Sequence, residues 1–149
     1  MSGDDPTGLW NEVLAWLRVA ESDRQAARLC LARDPPLADV AAFHCEQAAE
    51  KLLKGFLVRA NIGFRKTHDL GALAASVIAR FPAVEGLARP IERWTAWGVA
   101  YRYPTESEPE PEPTVAELNE ALSLIDRLAT LLRSLAPANR AGGNHGKQD

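Results

Sequence analysis

The fold is indicated most clearly by one stretch, Ala42-Phe43-His44-Cys45-Glu46-Gln47-Ala48-Ala49-Glu50-Lys51-Leu52-Leu53-Lys54. Its apolar residues recur every three or four positions, as on one face of a helix, and most of them are small. Small side chains on a helix face allow a second helix to approach closely. Beside that face, Gln47, Lys51 and Lys54 are spaced i, i+4 and i+7 and form a polar stripe. The stretch therefore predicts a helix that packs tightly against another helix and carries two lysines beside the contact.

Helical patterns continue on both sides of this stretch. The predicted helical regions are, in order, about 6–32, 37–60, 70–81, 84–101 and 115–135. Gly63 is expected to end the second region in a left-handed conformation. Thr67 or Asp69 is expected to cap the third, and Thr114 with Glu117 has the spacing of a capping box before the last. Because no strand pattern accompanies these regions, the sequence predicts an all-α fold, an up-and-down bundle of four to five helices.

The length and the apolar content predict one domain that pairs with a second copy of itself. A chain of 149 residues can bury a core without disulfides or metal, and 46% hydrophobic with 25% charged residues is ordinary for a globular protein. Trp16 and Val19 lie off the main apolar stripe of the first helix, and the last helix carries a long leucine-rich seam. This apolar surface exceeds what one small bundle buries, so we expect a homodimer with a helix–helix interface.

The charge is unevenly distributed. The chain carries −3 overall, but four carboxylates lie within residues 104–113, at Glu106, Glu108, Glu110 and Glu112. Removing these four negative charges from −3 leaves +1 for the remainder, so the net charge does not exclude an anionic ligand. Alternating Pro and Glu favours an extended loop at 104–113 within a bundle of residues 1–137. Residues 138–149 have almost nothing to bury and are predicted to be a disordered tail.

Several classes of protein are disfavoured. No apolar run approaches the ~20 residues that span a bilayer, and the acidic N-terminus lacks an apolar signal segment. We therefore expect a cytoplasmic protein without membrane association. Cys30 and Cys45 both fall inside apolar helical patterns and are expected to be reduced core thiols. Since no paired ligand spacing occurs, neither a metal nor another cofactor is predicted.

Three short motifs follow one another along the chain: Phe43-x-x-Glu46-Gln47-Ala48-Ala49-Glu50-Lys51-x-x-Lys54, Thr67-His68-Asp69-Leu70, and Tyr101-Arg102-Tyr103-Pro104. In this order and spacing they resemble the HEPN domain family (higher eukaryotes and prokaryotes nucleotide-binding), over about residues 10–135. The third motif resembles that of a subgroup with Tyr-Arg-Tyr-Pro. The resemblance implies a compact helical bundle that dimerises and a polar groove associated with nucleotide or RNA binding.

The motifs supply the candidate nucleotide- or phosphate-binding residues, which are Lys51, Lys54, His68, Arg102 and Tyr103. Arg102 lies between two tyrosines, and a guanidinium there can both stack on an aromatic ring and fork onto a phosphate. Structural alternatives remain open for each candidate. The two lysines suit a solvated helix face, His68 could cap a helix, and Arg102 could bridge two segments. Trp16, Trp94 and Trp97 are interpreted as core or dimer-interface residues rather than as platforms for stacked bases.

The resemblance also implies a partner and raises the question of catalysis. Many HEPN proteins act with a small nucleotidyltransferase in two-component modules, some of toxin–antitoxin type. Several subfamilies are metal-independent ribonucleases that use an Arg-x4–6-His motif at a helix start. Here only Arg140 and His145 match that spacing, in the predicted tail, so no catalytic residue is assigned and the chain is expected to bind without cutting. Two alternatives stay open: a metal-independent endoribonuclease using His68 with Arg102, and a structural dimerisation scaffold without ligand.

Overall fold

All regular elements of the described chain are helical. The structure is a computed structural model, and it describes residues 6–64, 67, 69–100 and 112–138. The α-helices are α1 (Pro6–Ala32), α2 (Ala38–Arg59), α3 (Leu70–Arg80), α4 (Glu85–Ala88), α5 (Thr95–Ala100) and α6 (Val115–Ser134). Two 3₁₀ segments, Pro82–Val84 and Arg89–Trp94, flank α4. The prediction of an all-α fold is confirmed.

The two long helices α1 and α2 form the main helix pair. Their contact is built from small side chains that are fully or almost fully buried: Ala20, Ala27, Ala41, Ala42, Cys45, Ala48 and Ala49. Since such side chains keep the two backbones close, the buried face predicted for α2 is confirmed. The larger residues Leu52, Leu53 and Phe56 continue this face into the centre of the core.

Helix α6 closes the other side of α2. Thr114 caps it as predicted: its hydroxyl accepts a hydrogen bond from the Glu117 amide (3.1 Å), and Glu117 accepts one from the Thr114 amide in return (3.2 Å). Leu132 of α6 approaches α2 at Gly55, where a Cβ would lie 2.8 Å from the Leu132 Cδ2 atom. Gly55 is therefore a position on α2 that leaves room for the Leu132 side chain of α6.

The sequence prediction was wrong about how α2 ends. The residue in the left-handed region is Asn61, with φ 57°, and none of the described glycines has a positive φ. Asparagine tolerates this conformation better than most residues because its short polar side chain can hydrogen-bond locally. The chain therefore turns two residues before Gly63.

The region predicted as a fourth helix is broken into short pieces. Between Pro82 and Ala100 the chain alternates 3₁₀ segments with α4 and α5, and Pro90 lies in the first turn of the second 3₁₀ segment. Proline lacks an amide hydrogen and fits best at the start of a helical segment. The position of Pro90 therefore explains why α4 ends and a new helical segment begins at Arg89. Val84, Ala88, Ile91 and Trp94 are nevertheless buried, which holds this region against the bundle.

Two sequence predictions fall largely outside the described residues. The acidic loop is described only at its end, from Glu112, and the predicted tail only at Ala138. The homodimer also stays a prediction. Of the two α1 residues on which this prediction depends, Val19 is 41% exposed, while Trp16 is half-buried and contacts α2.

Candidate functional site

Helix α2 directs its two candidate lysines to different points along α1. The two helices lie side by side, so Asp23 of α1 faces Lys51 while Trp16 of α1 faces Lys54. Asp23 and Trp16 are seven residues apart, which places both on the same side of α1. The polar stripe predicted on α2 thus runs along the contact with α1 rather than on a freely solvated face.

Lys51 belongs to a cluster of three ionisable side chains. Its ammonium donates a hydrogen bond to the Asp23 Oδ2 atom, and His44 Nδ1 lies 2.9 Å from the Asp23 Oδ1 atom. Because an ionised carboxylate only accepts hydrogen bonds, His44 donates to Asp23 through Nδ1. The other ring nitrogen, Nε2, takes no part in this hydrogen bond. Asp23 is 8% exposed, so both contacts offset the cost of burying its charge.

Lys54 is more enclosed than Lys51. It donates a hydrogen bond of 2.8 Å to the Glu50 Oε2 atom, and the two side chains are only 10% and 5% exposed. The Lys54 Nζ atom also lies 5.7 Å from the ring centre of Trp16 and 5.9 Å from that of Phe64, within the range of cation–π attraction. Glu50 and Lys54 form an i, i+4 ion pair on α2, and this pair is buried, unlike the solvated face that remained open for the lysines.

The start of α3 fixes the second motif. Asp69 is its N-cap: the Asp69 carboxylate accepts a hydrogen bond of 3.2 Å from the Ala72 amide. The amide of Leu70, which follows the cap, donates to the Thr95 hydroxyl at 3.2 Å. Since Thr95 is the first residue of α5, the second motif ends, at Leu70, next to the helix that precedes the third motif in the sequence.

His68, Arg102 and Tyr103 themselves lie outside the described residues. Of the five candidates, the structure therefore places Lys51 and Lys54. It sets both on α2, each bound to a carboxylate, and it brings them together with residues that the sequence reasoning did not assign, Asp23 and Glu50. His44, which the sequence analysis did not assign to a site, joins the same cluster; its i, i+7 spacing to Lys51 was the one available signal.

Neither cysteine has the environment of a nucleophile. Both are free thiols, Cys45 is fully buried, and burial raises its pKa to about 12. Burial also raises the pKa of Cys30, so less thiolate forms at neutral pH. Within the part of the chain that the structure describes, no group of three or more His, Cys, Asp or Glu side chains is arranged to hold a metal ion.

A comparison with protein families identifies the fold. The HEPN domain model matches residues 13–135, which is most of the chain, so the protein belongs to the HEPN domain family, a class of nucleotide-binding or ribonuclease-type modules. No curated protein and no solved structure gives a significant match. Among the helices that the structure describes, none is long and apolar enough to cross a membrane.

Proposed function

We propose that this HEPN protein binds a nucleotide or RNA without cutting it, through a site formed by Lys51, Lys54, His68, Arg102 and Tyr103. Membership of the HEPN family is the observation that carries this proposal, because it makes the bundle a nucleotide-binding or ribonuclease-type module. We also propose that the chain belongs to the subgroup with Tyr-Arg-Tyr-Pro, because Tyr101-Arg102-Tyr103-Pro104 resembles its motif.

The contact between α3 and α5 supports a single site for the second and third motifs. The Leu70 amide is bonded to the Thr95 hydroxyl, so His68 is two residues from a position that adjoins α5. Helix α5 has six residues and ends at Ala100, and a helix of that length advances only about 9 Å. Arg102 follows Ala100 by two positions in the sequence, and this short separation from α5 supports a shared site.

The observed ion pairs support a ranking of the candidate residues by how much each contributes to phosphate binding. An ammonium has three donors, and Lys51 uses one of them on Asp23 while its side chain remains 25% exposed. Lys54 is surrounded by Glu50, Trp16 and Phe64, so its charge is largely neutralised inside the protein. We therefore propose Arg102 as the main phosphate ligand, with Lys51 assisting it and Lys54 contributing least.

The position of the family's catalytic spacing supports binding without cleavage, because it occurs in the Gly-rich stretch after Pro137 and not at a predicted helix start. Ribonuclease chemistry without metal needs a histidine held where it can move the proton of a 2′-hydroxyl. The chain has three histidines, and the one with an arginine at the required spacing is His145, after Arg140. Both residues lie beyond Ala138, where the described part of the chain ends.

We further propose that the protein is cytoplasmic and acts as a homodimer beside a nucleotidyltransferase partner, in a two-component module of toxin–antitoxin type. Exposed apolar residues on α1 support an assembly: Leu14 and Val19 are each 41% exposed, and Leu29 near the end of the helix is 73% exposed. Sedimentation at micromolar concentration should give the mass of a dimer. A monomer under those conditions would remove the dimer from the proposal.

Substitution of Arg102 tests the binding site. Arg102→Ala should weaken binding of GMP, measured by titration calorimetry, by about 1–3 kcal/mol, the usual worth of a charge-assisted hydrogen bond. Arg127→Ala is the matched control, because Arg127 is exposed on α6 and has no hydrogen-bond or ion-pair partner in the described part of the chain. Equal affinities of the wild type and Arg102→Ala would remove Arg102 from the site.

A further inference from the structure

A cavity lies between α6 and the chain segment that runs from the second 3₁₀ segment into α5. Its volume is about 260 Å³, and α1 and α2 take no part in it. The apolar part of the wall comes from Trp94, Trp97 and Leu124, and the charged part includes Arg93 and Glu120. The cavity therefore combines an aromatic surface with a cation and a carboxylate that come from different helical segments.

The aromatic surface consists of two stacked rings. The indole rings of Trp94 and Trp97 are stacked, with centroids 5.1 Å apart and planes inclined by 11°. Trp94 is only 6% exposed and forms the inner layer, whereas Trp97 is half-buried. A half-buried indole supported from behind by a second indole suits a planar aromatic ligand, because such a ligand can stack without reorganising the wall.

The charged groups of this cavity are available to a ligand. Arg93 and Glu120 are exposed, and neither has a hydrogen-bond or ion-pair partner in the described part of the chain. Glu117 also borders the cavity, but its carboxylate accepts hydrogen bonds from the Thr114 amide and hydroxyl at the cap of α6. Glu120 is therefore the carboxylate that remains for recognition, and Arg93 the cation.

We propose that this cavity binds the base of a guanine nucleotide. Guanine presents two adjacent donors on its pairing edge, N1–H and the N2 amino group, and the two oxygens of Glu120 can accept both at once. Adenine and cytosine place a single amino donor beside an acceptor, which a carboxylate repels, and the uracil donor lies between two acceptors. The base would stack on Trp97, and Arg93 would make an additional contact with the phosphate.

An alternative ligand for this cavity is the guanidinium of an arginine from a partner protein, which offers the same pair of donors and also stacks on indoles. Arg93 favours the nucleotide, because its guanidinium can bind a phosphate, which an arginine ligand lacks, and because it would repel a second cation placed directly beside it. The inference rests on the proposed nucleotide binding and specifies the base that is read.

Titration of the full chain with GMP, AMP and IMP tests the proposal, with tryptophan fluorescence and calorimetry as readouts. We expect GMP to bind about tenfold or more tightly than AMP, and also more tightly than IMP, which lacks the N2 amino group. Glu120→Gln should abolish this preference, since an amide offers one acceptor instead of two. Glu12→Gln is the matched control, because Glu12 is exposed on α1 and has no partner in the described part of the chain.

The outcomes separate this inference from the proposed function. Equal binding of GMP and AMP, with no effect of Glu120→Gln, would overturn the guanine pocket and leave nucleotide binding intact. If no nucleotide binds, the proposed function itself fails. Arg102→Ala should weaken GMP and AMP alike and preserve their ratio, whereas Glu120→Gln should change the ratio. Binding of N-acetylarginine amide that depends on Glu120, without binding of GMP, would overturn the proposal in favour of a protein partner.

Discussion

The contact between α1 and α2 and the cavity beside α6 use the same kinds of residue in opposite ways. At the first, Lys54 is held by Glu50 and enclosed by aromatic rings, with 10% of its side chain exposed. At the second, Arg93 and Glu120 are exposed and have no partner in the described part of the chain, beside a half-buried Trp97. A cation, a carboxylate and an indole therefore form a structural element in one place and the proposed ligand pocket in the other. The difference is whether the charges are buried against each other or left open to solvent.

Removing a buried carboxylate should have the largest effect on stability. Glu50→Met leaves the Lys54 ammonium without the one carboxylate it contacts in the described part of the chain, so we expect a loss of about 3–5 kcal/mol in the free energy of unfolding, measured with urea. The Glu85–Arg89 pair has the same i, i+4 spacing, but its side chains are 51% and 63% exposed. Glu85→Met should accordingly cost only about 0.5 kcal/mol.

The double variant Glu50→Met/Lys54→Met controls for the loss of packing. Because it removes the unpaired charge, it should be more stable than Glu50→Met alone. If Glu50→Met and Glu85→Met cost the same, burial does not distinguish the two regions, and the structural role assigned to Lys54 is wrong.

Replacing glycine by alanine should change the free energy of unfolding differently at Gly55 and at Gly86, both in sign and in size. Gly55→Ala would bring a Cβ to 2.8 Å from Leu132, so we expect a loss of about 1–3 kcal/mol in thermal or urea unfolding. Gly86 lies in α4, where an added Cβ would have no other atom within 4 Å, and Gly86→Ala should be neutral or stabilising by about 0.5 kcal/mol. A neutral Gly55→Ala would mean that α6 does not pack on α2 as closely as described.

The smallest effect concerns the end of the chain. Deleting residues 138–149 should leave the melting temperature essentially unchanged, because this segment has almost no apolar side chains to bury. A decrease of many degrees would show that the segment docks on the bundle, and it would restore Arg140 and His145 as candidate functional residues.

The features that the sequence predicted correctly are those set by local chemistry. The small-residue face of α2, the Asp69 cap and the Thr114–Glu117 capping box all follow from residues within a few positions of each other. The end of α2 was mispredicted because both Asn61 and Gly63 tolerate a positive φ, and local sequence does not choose between them.

The candidate site was harder to predict because its contacts join distant parts of the chain. Asp23 precedes Lys51 by 28 positions, and their pairing depends on the register of α1 against α2, which no single-helix pattern contains. The cavity beside α6 likewise forms only when Trp97 of α5 and Glu120 of α6, which are 23 positions apart in the sequence, line the same space. The sequence interpretation of Trp97 as a core or interface residue could not include this neighbour.

The central claim, that the protein binds RNA without cutting it, is tested most directly by incubating it with a fluorescently labelled single-stranded RNA that contains guanines. Anisotropy would report binding, and a denaturing gel of the same samples would report cleavage, with and without chelator. We expect the anisotropy to rise with protein concentration while the RNA stays intact in both conditions. Chelator-resistant cleavage that disappears in His68→Ala would contradict the account and identify the protein as a metal-independent ribonuclease.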